Sequence, residues 1–344
     1  MSQPSSWISY GYEVVPKNDP IVRTLEDAAD MISQAIFPGA MAVDAVPALQ
    51  HLPEWLPGTY LKTYGRKCRH LIDEMLQAPL TIVHHGMVCW RDCKAIGGNM
   101  LQENEATEGG SDGLALVKEV GGSIYSAGTH TTSISLNVAI HALLLHPDVQ
   151  RWAQNELDVM VGRDRLPSFA DRQDLRYVNA ICREVLRWKL VAPLGLPRTT
   201  RQDDVYEGLF IPKGTMLLPN AWAMLHDPEK YPDPEAFNPE RFLEKNGELN
   251  DDDVSAAFGF GRRICPGRHL VLSTLFVNIA CMLSVFNIGH KKDENGNDVP
   301  VNVVYGDGLT STPSPWECAF TPRDEQAMSL LKRLMQDGGQ HESK

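Results

Sequence analysis

Apolar residues recur with a helical period through most of the chain. Ile21, Leu25, Ala28 and Ile32 share a face with acids interleaved, which predicts an amphipathic helix over 21–36. Residues 38–58 carry Pro38, Pro47, Pro53 and Pro57 and read as loop or broken helix. Further helices are predicted over 59–76, 114–145, 148–161 and 175–190; His146-Pro147 stops the longest and Gly162 closes the next. The Gly/Glu-rich stretch 97–113 reads as exposed loop or a short helix. After Pro193 the period changes. Residues 199–218 alternate around turns at Glu207-Gly208 and Pro212-Lys213-Gly214, the pattern of a small β meander. Residues 216–227 return to a helix-like pattern, 228–242 are Pro-punctuated coil, and 251–267 are loop. Residues 270–286 are the most apolar stretch. They are short for a membrane span and contain Ser273, Thr274, Asn278 and Ser284, so they read as a buried core helix that begins at Arg268. Residues 299–322 read as short strands with turns. With no internal repeat and no clear linker, the pattern predicts one domain over 1–344, mainly α with small β sheets and a helical core around 114–190.

Composition narrows the function classes. The 344 residues are 43% hydrophobic and 22% charged, a globular balance. A net charge of −12 argues against nucleic acid as the main partner and against general attraction to an anionic membrane. Seven irregularly spaced cysteines do not form a disulfide framework and point to a reducing compartment. The first twenty residues show no signal peptide or anchor.

The sharpest chemistry lies in Phe258-Gly-Phe-Gly-Arg-Arg-Ile-Cys-Pro-Gly267, which feeds directly into the apolar helix. Two glycines before Cys265 and one after it let backbone approach a ligand closely. Amides at a helix start favour an anionic sulfur, and thiolate is a strong ligand for haem iron. Arg263 is placed to reach an anionic group on the same side. Taken alone, Cys265 favours a buried cysteine in a Gly-rich loop; the whole ten-residue pattern does not. Glu184-Val-Leu-Arg187 sets opposite charges three apart on one helix face in an apolar setting, the pattern of a buried pair that needs more partners. Ala127-Gly-Thr-His-Thr-Thr132 is a poor helix interior inside a strongly helical segment, and such a local flaw marks function.

Together these motifs resemble the cytochrome P-450 family. The segment Phe258-x-x-Gly261-x-Arg263-x-Cys265-x-Gly267 is similar to its haem-binding signature. The resemblance implies that Cys265 is the axial thiolate on the haem iron, that Arg263 is a propionate partner and that Phe258 packs beside the sulfur. Pro239-Glu-Arg241-Phe242 resembles the segment whose arginine completes a Glu–Arg–Arg network with Glu184 and Arg187, a structural role. Residues 127–132 resemble the oxygen-binding groove, with Gly128 in the glycine position and Thr131 in the threonine position. His130 stands where the family has an acid. It is either a proton relay or a helix side chain facing away from the haem. Arg198 resembles a second propionate-binding arginine. Residues 191–196 and 309–311 resemble loops that line the substrate pocket, and Ile124 and Ala127 are expected to face the haem. His84, His85, Cys89 and Cys93 suggest a zinc site only superficially, because their spacing fits no common one.

The resemblance spans 7–323 and implies a cytochrome P-450 fold lacking its N-terminal third, including a membrane anchor. The implied function is a haem-thiolate monooxygenase that places one oxygen atom from O₂ into a lipophilic small molecule, in secondary metabolism. The implied electron donor is an NADPH-dependent reductase, and the implied location is the cytoplasmic face of the endoplasmic reticulum. Without an anchor, the chain as given is expected in the cytoplasm. Two other readings stand beside this one: a degenerate, non-catalytic haem-binding protein, and a peroxide-driven or isomerising haem-thiolate enzyme.

Overall fold

Asp19 starts the first helix. Its Oδ1 accepts from the Ile21 and Val22 amides at 2.9 and 3.1 Å, and Pro20 occupies the first helical position, where no amide is needed. Helix α1 is Pro20–Ala35, and it is followed by a 3₁₀ turn, Pro47–His51. Next come α2 Tyr60–Cys89, α3 Ile96–Ala106 and α4 Gly110–Leu145. The computed structural model describes residues 14–15, 19–35, 43, 46–53, 60–89, 96–107 and 110–341. They divide into two compact units, Met1–Ser133 and Ile134–Lys344.

In the first unit, Leu25 and Ala28 of α1 pack with Met75, Leu101, Val117 and Tyr125 from the next three helices. The Tyr64 hydroxyl donates to the Met31 carbonyl at 2.6 Å and ties α2 to α1. Gly122 lets α2 come close to α4: a Cβ there would fall 2.0 Å from Leu76 Cδ2.

The second unit is built on the later turns of α4 with α5 Pro147–Met160, α6 Arg176–Trp188 and α8 Arg268–Val285. Leu136, Leu143, Leu157, Ile181, Leu275 and Phe276 are its fully buried centre. The α6 start is capped from outside its own chain segment. Glu156 on α5 accepts from the Tyr177 and Val178 amides at 2.7 and 3.0 Å. Among the described residues α8 is the one helix long and apolar enough to cross a membrane, but Leu275, Phe276, Ile279, Ala280 and Leu283 on it are fully buried in this core.

Three two-stranded antiparallel sheets complete the unit. Strand β1 Arg198–Thr199 pairs with β4 Met216–Leu217, and β2 Asp204–Tyr206 pairs with β3 Leu209–Ile211. Strand β5 Phe286–Gly289 pairs with β6 Ala319–Pro322. The meander is therefore present, but the helix-like reading of 216–227 shrinks to α7 Ala221–Leu225. Met216 and Leu217 are taken by β1, and the helix starts only at Asn220, whose Oδ1 accepts the Ala223 amide at 3.0 Å. In 299–322 only β6 and the bridge Tyr305–Pro313 are strand-like. Helix α9 Glu325–His341 lies beyond the predicted elements.

One aromatic cluster bears on stability. His141 is buried on α4, its Nδ1 2.9 Å from the Tyr305 hydroxyl, with Trp316 and Trp188 at ring separations of 5.5 and 6.0 Å. Burial first, then Lys189 and His146, hold its imidazole below the ordinary value. His130 and His226 are lowered as well, each mainly by burial. The unfolded chain takes up protons at these positions from about pH 6.5 downward while the fold resists them, so stability rises with pH through that window. The calorimetric midpoint is expected to fall as pH drops from about 7.5 to about 5, and His141→Phe is expected to flatten that slope. An unchanged slope in that variant would remove His141 from the account.

Candidate active site

The loop carrying Cys265 is assembled from 3₁₀ turns at Ser255–Phe258 and Gly261–Arg263. Gly259 and Gly261 both adopt positive φ, +84° and +59°, and an added Cβ at either meets nothing within 4 Å. These two residues give the chain its sharp path and leave its outer side open. The Cys265 amide donates to the Phe258 carbonyl at 2.8 Å, which closes the loop, and Phe258 packs its ring against the core. Cys265 is a free, half-buried thiol. A Cβ on Gly267 would stand 3.8 Å from its sulfur, in ordinary van der Waals contact, so Gly267 borders the thiol directly. Arg262 and Arg263 are exposed and enter no ion pair among the described residues.

The same unit holds the Glu184 network. Glu184 and Arg187 are both 0% exposed. Arg187 Nε donates to Glu184 Oε2 at 2.6 Å and Nη2 donates to Oε1 at 2.8 Å, a bidentate fork. Arg241 Nε reaches the same Oε1 at 3.2 Å. The two arginines, from two motifs far apart in sequence, thus meet at the Glu184 carboxylate. What the sequence did not indicate are the backbone partners. The Asn238 amide donates to Glu184 Oε1 at 2.7 Å, and the carbonyls of Leu225, Pro234 and Ala236 accept from Arg187. Main-chain groups carry no residue-type signal, so only the fold reveals them. The Tyr231 ring also lies 5.4 Å from the Arg187 guanidinium.

In the first unit, α4 presents a face of small side chains. Ser123, Ala127 and Thr131 recur every four residues, with Ile124 and Gly128 beside them. Ser123 and Ala127 are not buried, whereas Tyr125, Thr129 and Thr132 on other faces are. The Thr131 hydroxyl donates to the Ala127 carbonyl at 2.6 Å, one turn back. His130 sits about 100° around the helix from Thr131. It is half-buried, and Asp30 on α1 acts on it electrostatically. Burial outweighs the pull of Asp30 and lowers the His130 pKa, so the imidazole is neutral at neutral pH.

The sequence model of the family described as Cytochrome P450 matches residues 17–315. A cytochrome P450 monooxygenase of Armillaria gallica is 38% identical over 323 residues, covering 94% of this chain and 63% of that protein. A second, from Ampulloclitocybe clavipes, is 38% identical over 333 residues, covering 96% and 61%. A multifunctional cytochrome P450 monooxygenase of Aspergillus fumigatus is 35% identical over 335 residues, covering 95% and 62%. The chain belongs to the cytochrome P450 family. It spans a little under two thirds of the length of these relatives.

The P450 family carries a haem iron held by a cysteine thiolate. The residues present fit that group. The Cys265 loop offers a half-buried thiol with glycines on either side, two exposed guanidiniums, and the half-exposed ring of Phe260. Such a surface suits a flat, apolar, anionic ligand. Arg198 is exposed on β1, paired in register with Leu217, and Leu194, Leu196 and Leu218 are exposed in the same stretch of this P450. Of the four residues that superficially suggest zinc, Cys93 lies outside the described residues, as do the side chains of His84, His85 and Cys89.

Proposed function

We infer that this protein is a haem-thiolate monooxygenase that hydroxylates or epoxidises a lipophilic small molecule of secondary metabolism. The observation that carries this reading is the glycine-framed Cys265 loop, closed by its own backbone bond and flanked by Arg262 and Arg263. Cys265 holds the iron, Arg263 and Arg198 pair with the propionates, and Phe258 shields the sulfur. Gly261 gives the loop its left-handed turn and Gly267 borders the sulfur, both on the haem side in this reading. Glu184, Arg187 and Arg241 tie α6 to the 3₁₀ turn Pro239–Phe242. When bound, the haem supplies activation of O₂ with two electrons, leaving one oxygen atom in the product and one in water. Those electrons come from NADPH through a reductase partner, at the cytoplasmic face of the endoplasmic reticulum. Fungal P450 monooxygenases as relatives support the reaction class.

The test is a reduced-CO difference spectrum of the purified chain supplied with haem. A thiolate-type band is expected, and its absence removes the monooxygenase reading. NADPH-driven turnover with reductase then separates it from a peroxide-driven enzyme, which the histidine at position 130 would favour.

The small-residue face of α4 supplies the proton chemistry in this reading. Neutral His130 takes up a proton from solvent water and passes a proton on to Thr131 Oγ1, which in turn gives up its own hydroxyl proton on the Gly128 side of the helix. His130→Ala is expected to lower NADPH-driven product formation about 10²-fold, the worth of a general acid or base, and to raise peroxide release. His130→Asp is expected to retain product formation. Equal partition between product and peroxide in all three proteins would eliminate His130 as a relay.

A further inference from the structure

Val254 is in the left-handed region, at φ 51° and ψ 34°, immediately before the 3₁₀ turn that leads into the Cys265 loop. It is one of three non-glycine residues with positive φ among those described, and the β-branched one. A side chain branched at Cβ is poorly tolerated there, so the surroundings must impose the conformation. Its side chain is 1% exposed and anchored in the core.

The restraint comes from Asp252. Its Oδ1 accepts from the Val254 amide at 3.1 Å. Its Oδ2 accepts from the Tyr231 hydroxyl at 2.7 Å and lies 3.1 Å from Lys230 Nζ. Arg183 Nη1 donates to the Asp252 carbonyl at 2.9 Å and to the Asn250 carbonyl at 2.7 Å, which fixes the backbone on the near side. On the far side, the Ala257 amide donates to the Val254 carbonyl at 2.9 Å, one residue before Phe258. A continuous path therefore runs from Arg187, through the Tyr231 ring beside it, to Asp252, Val254 and the Phe258–Cys265 closure. Burial opposes ionisation of Asp252, yet Tyr231, the Val254 amide and Lys230 hold its carboxyl below the usual range.

We propose that Asp252 is a positioning residue: its carboxylate clamps Val254 in the left-handed conformation and so sets where the Cys265 loop leaves the Glu184 network. The functional meaning rests on Cys265 being the haem ligand; the positioning itself does not.

The test uses the full chain without haem and follows the alkylation rate of Cys265 by peptide mass spectrometry beside the thermal midpoint. Asp252→Ala is expected to speed alkylation about tenfold, the equivalent of one lost charge-assisted hydrogen bond. Asp252→Asn keeps an oxygen for the Val254 amide and is expected to stay within about twofold of the parent. The discriminating variant is Val254→Gly placed on Asp252→Ala. Glycine adopts positive φ unaided, so Cys265 protection should recover even though the midpoint falls further with the lost buried side chain. A purely structural role would move both readouts the same way. The proposal is overturned if Asp252→Ala leaves alkylation unchanged, or if the added glycine makes Cys265 more reactive in step with the lower midpoint. Haem is absent from these measurements, so their outcome for Asp252 holds even if Cys265 proves not to be the iron ligand.

Discussion

Cys265→Ser is expected to abolish the thiolate-type reduced-CO band while leaving the chain as soluble and nearly as stable as before. The substitution keeps the size of the side chain and leaves the loop intact, because the bond that closes it runs between the Cys265 amide and the Phe258 carbonyl. What it removes is the ionisable sulfur, and a serine hydroxyl does not ionise at neutral pH. No other described cysteine is suited to replace it. Cys182 is fully buried and its thiol is pushed up to about 12, and burial also raises Cys68, Cys281 and Cys318. A thiolate-type band that survives in the serine variant would show that Cys265 is not the ligand.

Glu184→Ala and Arg187→Ala are expected to cost about 3–5 kcal/mol each, the penalty of stranding one member of a buried ion pair. A typical domain holds about 5–15 kcal/mol in total, so either variant should lose most of its folded population and its capacity to retain haem. The geometry explains the size. Without Glu184, Arg187 remains 0% exposed with its Nε facing no carboxylate, and the Asn238 amide loses its acceptor. Without Arg187, Glu184 keeps only Arg241 and that amide, and the carbonyls of Leu225 and Pro234 lose a donor. Lysine at 187 does not restore the site, since a single ammonium cannot span both carboxylate oxygens and three carbonyls. Denaturant midpoints and haem retention measure the effect. A Glu184→Ala chain that folds normally, keeps haem and loses only turnover would assign this carboxylate to the chemistry instead.

Much of this arrangement is legible in the sequence alone. The 3.6-residue period locates α1, α5 and α6 to within a residue or two, because each buries one continuous face. The spacing of Glu184 and Arg187 by itself places both on one helix face, while Arg241, 57 residues from Glu184, joins them only through the resemblance. The rest depends on contacts that no local pattern encodes. Met216 and Leu217 fall where the alternating and the helix-like patterns overlap in sequence, and pairing with Arg198 and Thr199 decides for strand. Phe286–Gly289 continues the apolar run of α8 and turns extended only where residues 319–322 lie alongside. Val254 is still less predictable: a valine is an improbable choice for a left-handed turn, and the carboxylate that enforces it is two residues away with its other oxygen held by Tyr231. The groove motif is visible as a helix flaw, but the proximity of Asp30 to His130 belongs to tertiary structure.

The β5–β6 ribbon has an outer edge that would ordinarily invite another chain. Two buried glutamines on α5 occupy it. Gln150 Nε2 donates to the Ile288 carbonyl at 3.0 Å and its Oε1 accepts the Ile288 amide at 2.7 Å, reproducing with a side chain the paired bonds of a third strand. Gln154 adds a bond to the Phe286 carbonyl at 3.1 Å. The β5 edge is thereby occupied without lengthening the sheet. The β2–β3 hairpin has no such cover. Val205, Tyr206, Leu209 and Phe210 are 63–69% exposed on two short strands, so apolar side chains line an uncovered strand edge there, whereas the edge of β5 is occupied.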